Sequence, residues 1–442
     1  MQYFLKDFSV FIQNFEKKCC NRQKNTICYY CLSKNTRRIS MEDKFKKKLD
    51  SVLAGKIKIG KISMETVDGL FLLCIMILGL AVRFSLRDME TGDWTYCFSK
   101  WIVAIRQDGT IRILGQDFGS DYNPPYIYIL YLISHLPILS NDLHSLKLVS
   151  ILFDYLCSVA VFFTVYEITG NKNRSIFAFS TVLLAPTVFF NSAGWGQCDA
   201  IYTFFLLMSL YCMIKEKSGS SLFFMGIAFS FKIQAVFFLP FLLIMWLKNR
   251  IKTLHFLYIP LIYFLSILPM MLLGRSFKSL AGIYIGLTQV YLQLTLYYPN
   301  IYALFEYNEK AVYLGTVGIF LTIAFLGCLA YYIYRKKFRM TASFMVTLAL
   351  FSISIIVYTL PHMHERYGYI TDILSIIYGF TNKKRIWLTM GFQLVSLIAY
   401  IPYLFESLLI PLWIVSLFYL ALIAYTGFDL FHQMQKEEII LS

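Results

Sequence analysis

The chain alternates long apolar stretches with short polar breaks, and one break is far longer than the others. The first apolar stretch covers about Thr66–Phe84. Others follow at about 126–140, 146–167, 175–192, 199–214, 221–247, 254–273, 311–334, 341–360, 367–380, 386–404 and 408–430. A helix of roughly 20 apolar residues crosses a bilayer. The pattern therefore predicts an all-α, polytopic helical membrane protein with ten to thirteen transmembrane helices. Residues 221–247 do not fit a straight span. They begin and end beside basic clusters, Lys215/Lys217 and Lys248/Arg250/Lys252, with Lys232 between. Two half-helices meeting at a break near Lys232 are expected there. No internal repeat of the kind that builds solenoids is visible.

The long break is Leu86–Pro125. It carries Asp88, Glu90, Asp93, Asp108, Asp117 and Asp121, against Arg87, Lys100, Arg106 and Arg112. Within it Trp94, Phe98, Trp101, Ile102 and Ile105 recur at helical spacing, which predicts an amphipathic helix at the membrane interface. Asp108-Gly109 reads as a turn. Asp121-Tyr122-Asn123-Pro124-Pro125 delays the next helix until after the prolines.

Charge orients the pattern. Residues 1–65 carry fifteen Lys and Arg against six acids. Further basic clusters stand at Lys172/Arg174, Lys215/Lys217, Lys248/Arg250/Lys252, Arg335–Arg339 and Lys383–Arg385. By the positive-inside rule these are cytoplasmic, so the acidic loop faces outward. The expected organisation is a basic cytoplasmic tail (1–63), a transmembrane domain (64–434) whose first extracytoplasmic loop is 86–125, and a short C-terminal tail (435–442). The start of the tail, residues 1–18, suits an amphipathic helix on the membrane. Cys19-Cys20 and Cys28-x-x-Cys31 offer four thiolates for zinc, but the spacing is loose and an adjacent pair suits tetrahedral ligation poorly. The first 60 residues hold no unbroken apolar run of signal-peptide type, and Met41 and Met64 are alternative candidate starts.

Composition adds little that changes this picture. Hydrophobic residues are 58%, charged residues 15%, and the mean hydropathy is +0.59. The net charge of +15 fits positive-inside bias and contact with anionic lipid. Its scatter over short loops argues against nucleic-acid binding. The lipid bilayer is the expected surrounding.

Four polar constellations carry candidate chemistry: the acidic loop, Asn191–Asp199, Phe229–Gln234 and Pro361–Tyr367. Ionisable groups in or near hydrocarbon are costly and mark function. A carboxylate at the outer surface suits a general base on an acceptor hydroxyl. Arg366, His362, His364 and Lys232 suit the phosphate of a lipid leaving group. A groove between half-helices suits a polyprenyl chain, and Trp94, Trp101 and Trp195 suit stacking on a sugar. His362, His364 and Glu365 lack the spacing of a helical zinc-protease motif. Asp93 has no second carboxylate one or two residues away, so metal-independent chemistry is expected.

The chain resembles the multi-pass glycosyltransferases of the GT-C fold, in particular bacterial membrane proteins related to the second mannosyltransferase of GPI-anchor assembly. The resemblance rests on Gly92-Asp93-Trp94, Asp121–Tyr126, Trp195–Asp199, Phe231–Gln234, Tyr298-Pro299-Asn300 and His362–Tyr367, in register over about residues 66–370. Two stretches depart from the family's pattern: Lys232-Ile233-Gln234 lacks a proline, and Tyr297-Tyr298-Pro299-Asn300 replaces Asn-Ala-Pro-Asn. The resemblance implies transfer of a mannose-like hexose from a polyprenyl-phosphate sugar, the co-substrate, to an extracytoplasmic glycan, lipid or protein acceptor. No bound cofactor is implied. Asp93 would be the base. Trp94, Asp121, Tyr122, Asn123, Trp195, Gln197 and Asp199 would bind acceptor or sugar. Lys232, Gln234, His362, His364, Glu365 and Arg366 would sit at the donor phosphate. A transporter or flippase of lipid-linked sugars is the alternative, with Lys232 and Asp154 on a broken-helix pathway. A transporter concentrates polar groups at mid-membrane, whereas most of these gather at one outer face.

Overall fold

The computed structural model describes residues 46–48, 50–59, 62–135, 141–287, 293–305 and 312–441. The proposed zinc thiols and the amphipathic start of the tail lie outside the described residues. By contacts the chain forms two units, 1–71 and 72–442. In the first, β1 (Lys56–Ile59) pairs antiparallel with β2 (Ile62–Glu65), Lys56 facing Glu65. No strand was expected here. The expected boundary at 63/64 falls inside β2.

The rest of the described chain is almost entirely helical, the all-α polytopic architecture that the apolar pattern predicts. Its helices are α1 (Thr66–Ser85), α2 (Ser99–Asp108), α3 (Pro124–His135), α4 (Asp142–Thr169) and α5 (Lys172–Leu184). Then come α6 (Asp199–Ile214), α7 (Ser218–Phe231), α8 (Leu239–Leu247), α9 (Tyr258–Leu272) and α10 (Phe277–Leu287). The series closes with α11 (Val312–Arg335), α12 (Ala342–Thr359), α13 (Tyr369–Thr381), α14 (Ile386–Phe405) and α15 (Leu412–Leu441). Among the described residues, seven helical segments are long and apolar enough to cross a membrane, and α5 with the Pro186–Trp195 segment makes a bent eighth. Four shorter apolar segments accompany them. The protein is thus a multi-pass membrane protein by architecture. The final helix continues through 435–441 without a separate tail.

Local chemistry sets the helix ends. Asn141 caps α4, its side chain accepting from the His144 N–H, and Gly170 ends it at φ 60°. Asn171 caps α5 in the same way. Pro186, which cannot donate to the preceding turn, marks the 46° bend that follows. Gly226 lets α7 approach α9, where an added Cβ would lie 3.0 Å from the Tyr258 carbonyl oxygen.

The break at Lys232 is real. α7 ends at Phe231, a 3-10 turn covers Ile233–Phe238, and α8 runs back. Arg250, after α8, bonds Glu216, before α7, at 2.6 Å, so the pair leaves and returns on one side. The same side holds Lys215 on Glu167, Lys248 on the Lys336 carbonyl, Arg174 on the Thr381 carbonyl and Arg385 on Asp429. Five expected cytoplasmic clusters therefore share one end of the bundle. Alternating helix directions bring the C-terminal ends of α1, α7, α12 and α14 and the N-terminal ends of α4, α6, α13 and α15 to the other end. There α12 is largely buried at the centre, while α1, α9 and α11 present outward faces rich in leucine and phenylalanine.

One buried ion pair locks α1 to α4. Arg83 bonds Asp154 at 2.8–2.9 Å and the Leu183 carbonyl at 2.9 Å, and Ser192 and Tyr369 also donate to Asp154. Asp154 therefore pairs with Arg83, while Lys232 pairs with Asp199. Arg83→Met leaves this carboxylate unpaired and is expected to cost about 3–5 kcal/mol. Arg83→Met with Asp154→Leu should lose much less. Unfolding in detergent measures both, and a fully stable single variant would contradict the pairing.

Candidate functional site

The acidic loop is built on its own small core. Phe98, Trp101, Ile102 and Ile105 are buried against Ile113, Leu114, Tyr126, Ile127 and Leu130. The expected helix exists as a π-helical turn, Trp94–Phe98, running into α2. Its apolar face covers α3 and the loop. Lys147 of α4 fixes the loop's entry. Its ammonium donates to the carbonyls of Leu86, Arg87 and Met89 at 3.1, 3.1 and 2.6 Å, which uses all three of its protons. Asp93 stands at the start of the turn.

The segment after the Pro186 bend reaches Asp93 from the other side. Trp195 is fully buried, stacked on Tyr403 with centroids 4.3 Å apart and planes at 16°. Its indole N–H donates to Asp93 Oδ2 at 2.8 Å. The Gln197 amide donates to the same oxygen, and its carbonyl accepts from the Tyr122 hydroxyl at 3.1 Å. Gly196, at φ 81°, permits the tight turn between them. The Tyr403 hydroxyl accepts the Asp93 backbone N–H at 3.3 Å. Among the described residues, Oδ1 of Asp93 takes no hydrogen bond.

The third contribution is Pro361–Tyr367. Met363–His364 pairs in parallel with Thr295–Leu296, and His362, at φ 61°, turns its ring to the Gln293 carbonyl at 2.8 Å. The turn delivers Glu365 and Arg366 inward. The Arg366 guanidinium lies 3.0 Å from Glu365, 3.8 Å from Asp93 and 3.8 Å from Asp199, and 5.1 Å above the Trp195 ring. Lys232, at the helix break, bonds Asp199, and the Asn191 amide bonds the other Asp199 oxygen at 2.9 Å.

These groups line two cavities. One, of about 380 Å³, is bounded by Asp93, His364, Glu365, Arg366, Tyr403 and Leu412. The other, of about 80 Å³, is bounded by Asp121, Tyr122, Lys232, Gln234, Tyr284 and Tyr367. Arg366 and His364 belong to both.

Several expected roles need correction. Trp195 has no exposed face for a sugar; it packs under Arg366 and orients Asp93. Gln197 and Asp199 are fully buried, engaged by Asp93 and Lys232. Asn123 reaches the smaller cavity, but its amide donates to the Ser230 carbonyl at 3.1 Å, joining the loop to α7. Trp94 packs on the loop core. His362 faces the Gln293 carbonyl, just before the strand at 295–296, and lines neither cavity. Asp93, Asp121, Tyr122, Lys232, Gln234, His364, Glu365 and Arg366 do face cavities. Tyr403, Lys147 and the strand at 295–296 had no sequence signal. Among the described residues, no three His, Cys, Asp or Glu side chains gather to hold a metal ion.

Electrostatics separates the charges. Burial works against Arg366, but Asp93 and Glu365 outweigh it and hold its pKa above the ordinary arginine value. Asp121 reaches solvent on one side, yet the protein around it, and then the Asp93 charge, push its carboxyl up. Burial pushes the His364 imidazole below 6.5, opposed by Glu365 and assisted by Arg366. The sequence matches no protein-family model and no curated protein.

The lowered His364 pKa makes stability depend on pH. Below 6.5 the unfolded chain binds a proton that the folded chain resists, so this contribution to stability is complete above 6.5 and is lost as pH falls toward the folded value. Melting in detergent between about pH 7.5 and pH 5.5 should show a drop that His364→Gln reduces. An identical drop in the variant would contradict a buried neutral imidazole.

Proposed function

We propose that the protein is a multi-pass membrane glycosyltransferase. It moves a mannose-like hexose from a polyprenyl-phosphate sugar to an acceptor hydroxyl outside the cytoplasm. The observation that carries this reading is the meeting of Asp93 and Arg366 on one cavity, from segments more than 270 residues apart in the sequence. Orientation comes from the basic clusters, which share the opposite end and face the cytoplasm by the positive-inside rule.

In this reading Asp93, held through Oδ2 by Trp195 and Gln197, presents Oδ1 to the acceptor. It takes the hydroxyl proton as the acceptor oxygen attacks the anomeric carbon. The bond from that carbon to the phosphate oxygen breaks, and polyprenyl phosphate departs with the electron pair. Arg366 and neutral His364 donate hydrogen bonds to the phosphate as its charge grows. Glu365 keeps the guanidinium placed. Lys232 and Asp199 brace the wall from behind.

The test is release of free polyprenyl phosphate by the purified protein in nanodiscs, offered a panel of polyprenyl-phosphate monosaccharides together with hydroxyl-bearing glycan, glycolipid and peptide acceptors. Asp93→Asn should lower release by roughly 10²–10⁴-fold, the contribution of a positioned base, with folding intact. Arg366→Lys, which keeps charge but loses the fork, should also lower it. No release from any donor, or full activity in Asp93→Asn, would overturn the proposal.

A further inference from the structure

The basic end of the bundle holds a second candidate site. Four cations there are matched by acids: Lys215 by Glu167 at 2.8 Å, Arg250 by Glu216 at 2.6 Å, Lys336 by Glu438 at 3.3 Å and Arg385 by Asp429 at 3.0 Å. Arg174 and Lys383 are in no ion pair among the described residues. Both instead face one cavity of about 480 Å³, between the start of α5 and the α13–α14 turn. Its size falls in the range of ligand sites. Asn171 and Asn173 supply polar lining, Phe177, Phe380 and Ile386 an apolar wall, and no acid lines it.

The two cations differ in setting. Arg174 is anchored, with Nη1 donating to the Thr381 carbonyl at 3.3 Å. Its Nε is buried without a hydrogen-bond partner among the described residues. Lys383 is exposed and can swing over the opening. Phe177 is 56% exposed on the outward face of α5, and Trp387, 51% exposed, stands beside the cavity wall at Ile386, as aromatic residues do at membrane interfaces. Two uncompensated cations beside an apolar, lipid-facing wall call for an amphipathic anion. Basic pockets between helices on the cytoplasmic side bind anionic headgroups.

We propose that this cavity binds one anionic phospholipid, its phosphate bridging Arg174 and Lys383 and an acyl chain lying along Phe177. The bound lipid ties α5 to the α13–α14 turn. Because α13 begins at Tyr369, two residues after Tyr367, the lipid steadies the helix that follows the site segment, whatever reaction that site performs.

Native mass spectrometry and melting of the full-length protein in detergent test this with phosphatidylglycerol, phosphatidylcholine and inorganic phosphate. Phosphatidylglycerol should be retained one per protein and raise the melting temperature, while phosphatidylcholine and phosphate should not. Arg174→Gln with Lys383→Gln should weaken retention at least about tenfold. Lys383→Gln alone, at an exposed position that leaves folding intact, should weaken it partly. Lys217→Gln with Lys252→Gln, which removes the same charge from the same end, should leave it unchanged. Equal retention by the Arg174/Lys383 variant, or equal loss in the Lys217/Lys252 control, would overturn the site. Equal stabilisation by inorganic phosphate would overturn the lipid assignment.

Discussion

The Arg366 guanidinium, sharing its charge among Glu365, Asp93 and Asp199 at 3.0, 3.8 and 3.8 Å, is the interaction on which the arrangement depends. A largely buried cation is tolerated where carboxylates surround it, and each carboxylate here comes from a different part of the chain. Asp93 arrives on a loop, Asp199 at the start of α6, and Glu365 on the turn before α13. Trp195 completes the setting from below, with its ring under the guanidinium and its N–H on Asp93. Such a network acts as a unit. Shifting one member moves the others, so the loop core, the Gly196 turn and the pairing of 295–296 with 363–364 are all means of holding it.

The network also explains the division of space around it. Arg366 and His364 form the wall shared by two cavities, one facing Asp93 and one facing Asp121 and Lys232. A cationic wall shared by two cavities is suited to holding an anion between them. The bundle supplies the rest by alternation: each reversal of direction returns a helix end to the same place, while basic residues collect at the far end. Site and charge bias are thus two results of one topology.

Much of the fold was legible because burial in a bilayer leaves a coarse signature. Long apolar stretches became helices, the misfit of residues 221–247 became a break at Lys232, and helical spacing in the loop became the turn and α2. What was not legible was direction. Trp195, Gln197 and Asp199 are polar or aromatic residues beside a candidate site, and the sequence looks the same whether they face a ligand or each other. The structure turns them inward. Partner choice was hidden for the same reason: Asp154 pairs with Arg83, which reads in sequence as an ordinary flanking charge at the end of α1. Tyr403 resembles any aromatic residue of an apolar helix. His362 is misplaced by one left-handed backbone angle, which rotates its ring away from the cavity that its neighbour His364 lines.

The central claim is that the cavity walled by Asp93, His364 and Arg366 receives a lipid-linked phosphate. The most direct measurement is an electron cryo-microscopy structure of the protein in nanodiscs with added polyprenyl phosphate. The account predicts phosphate density in hydrogen-bond contact with Arg366, with the polyprenyl chain leaving toward the surrounding lipid. Density at another position, with the Arg366 cavity empty, would contradict it.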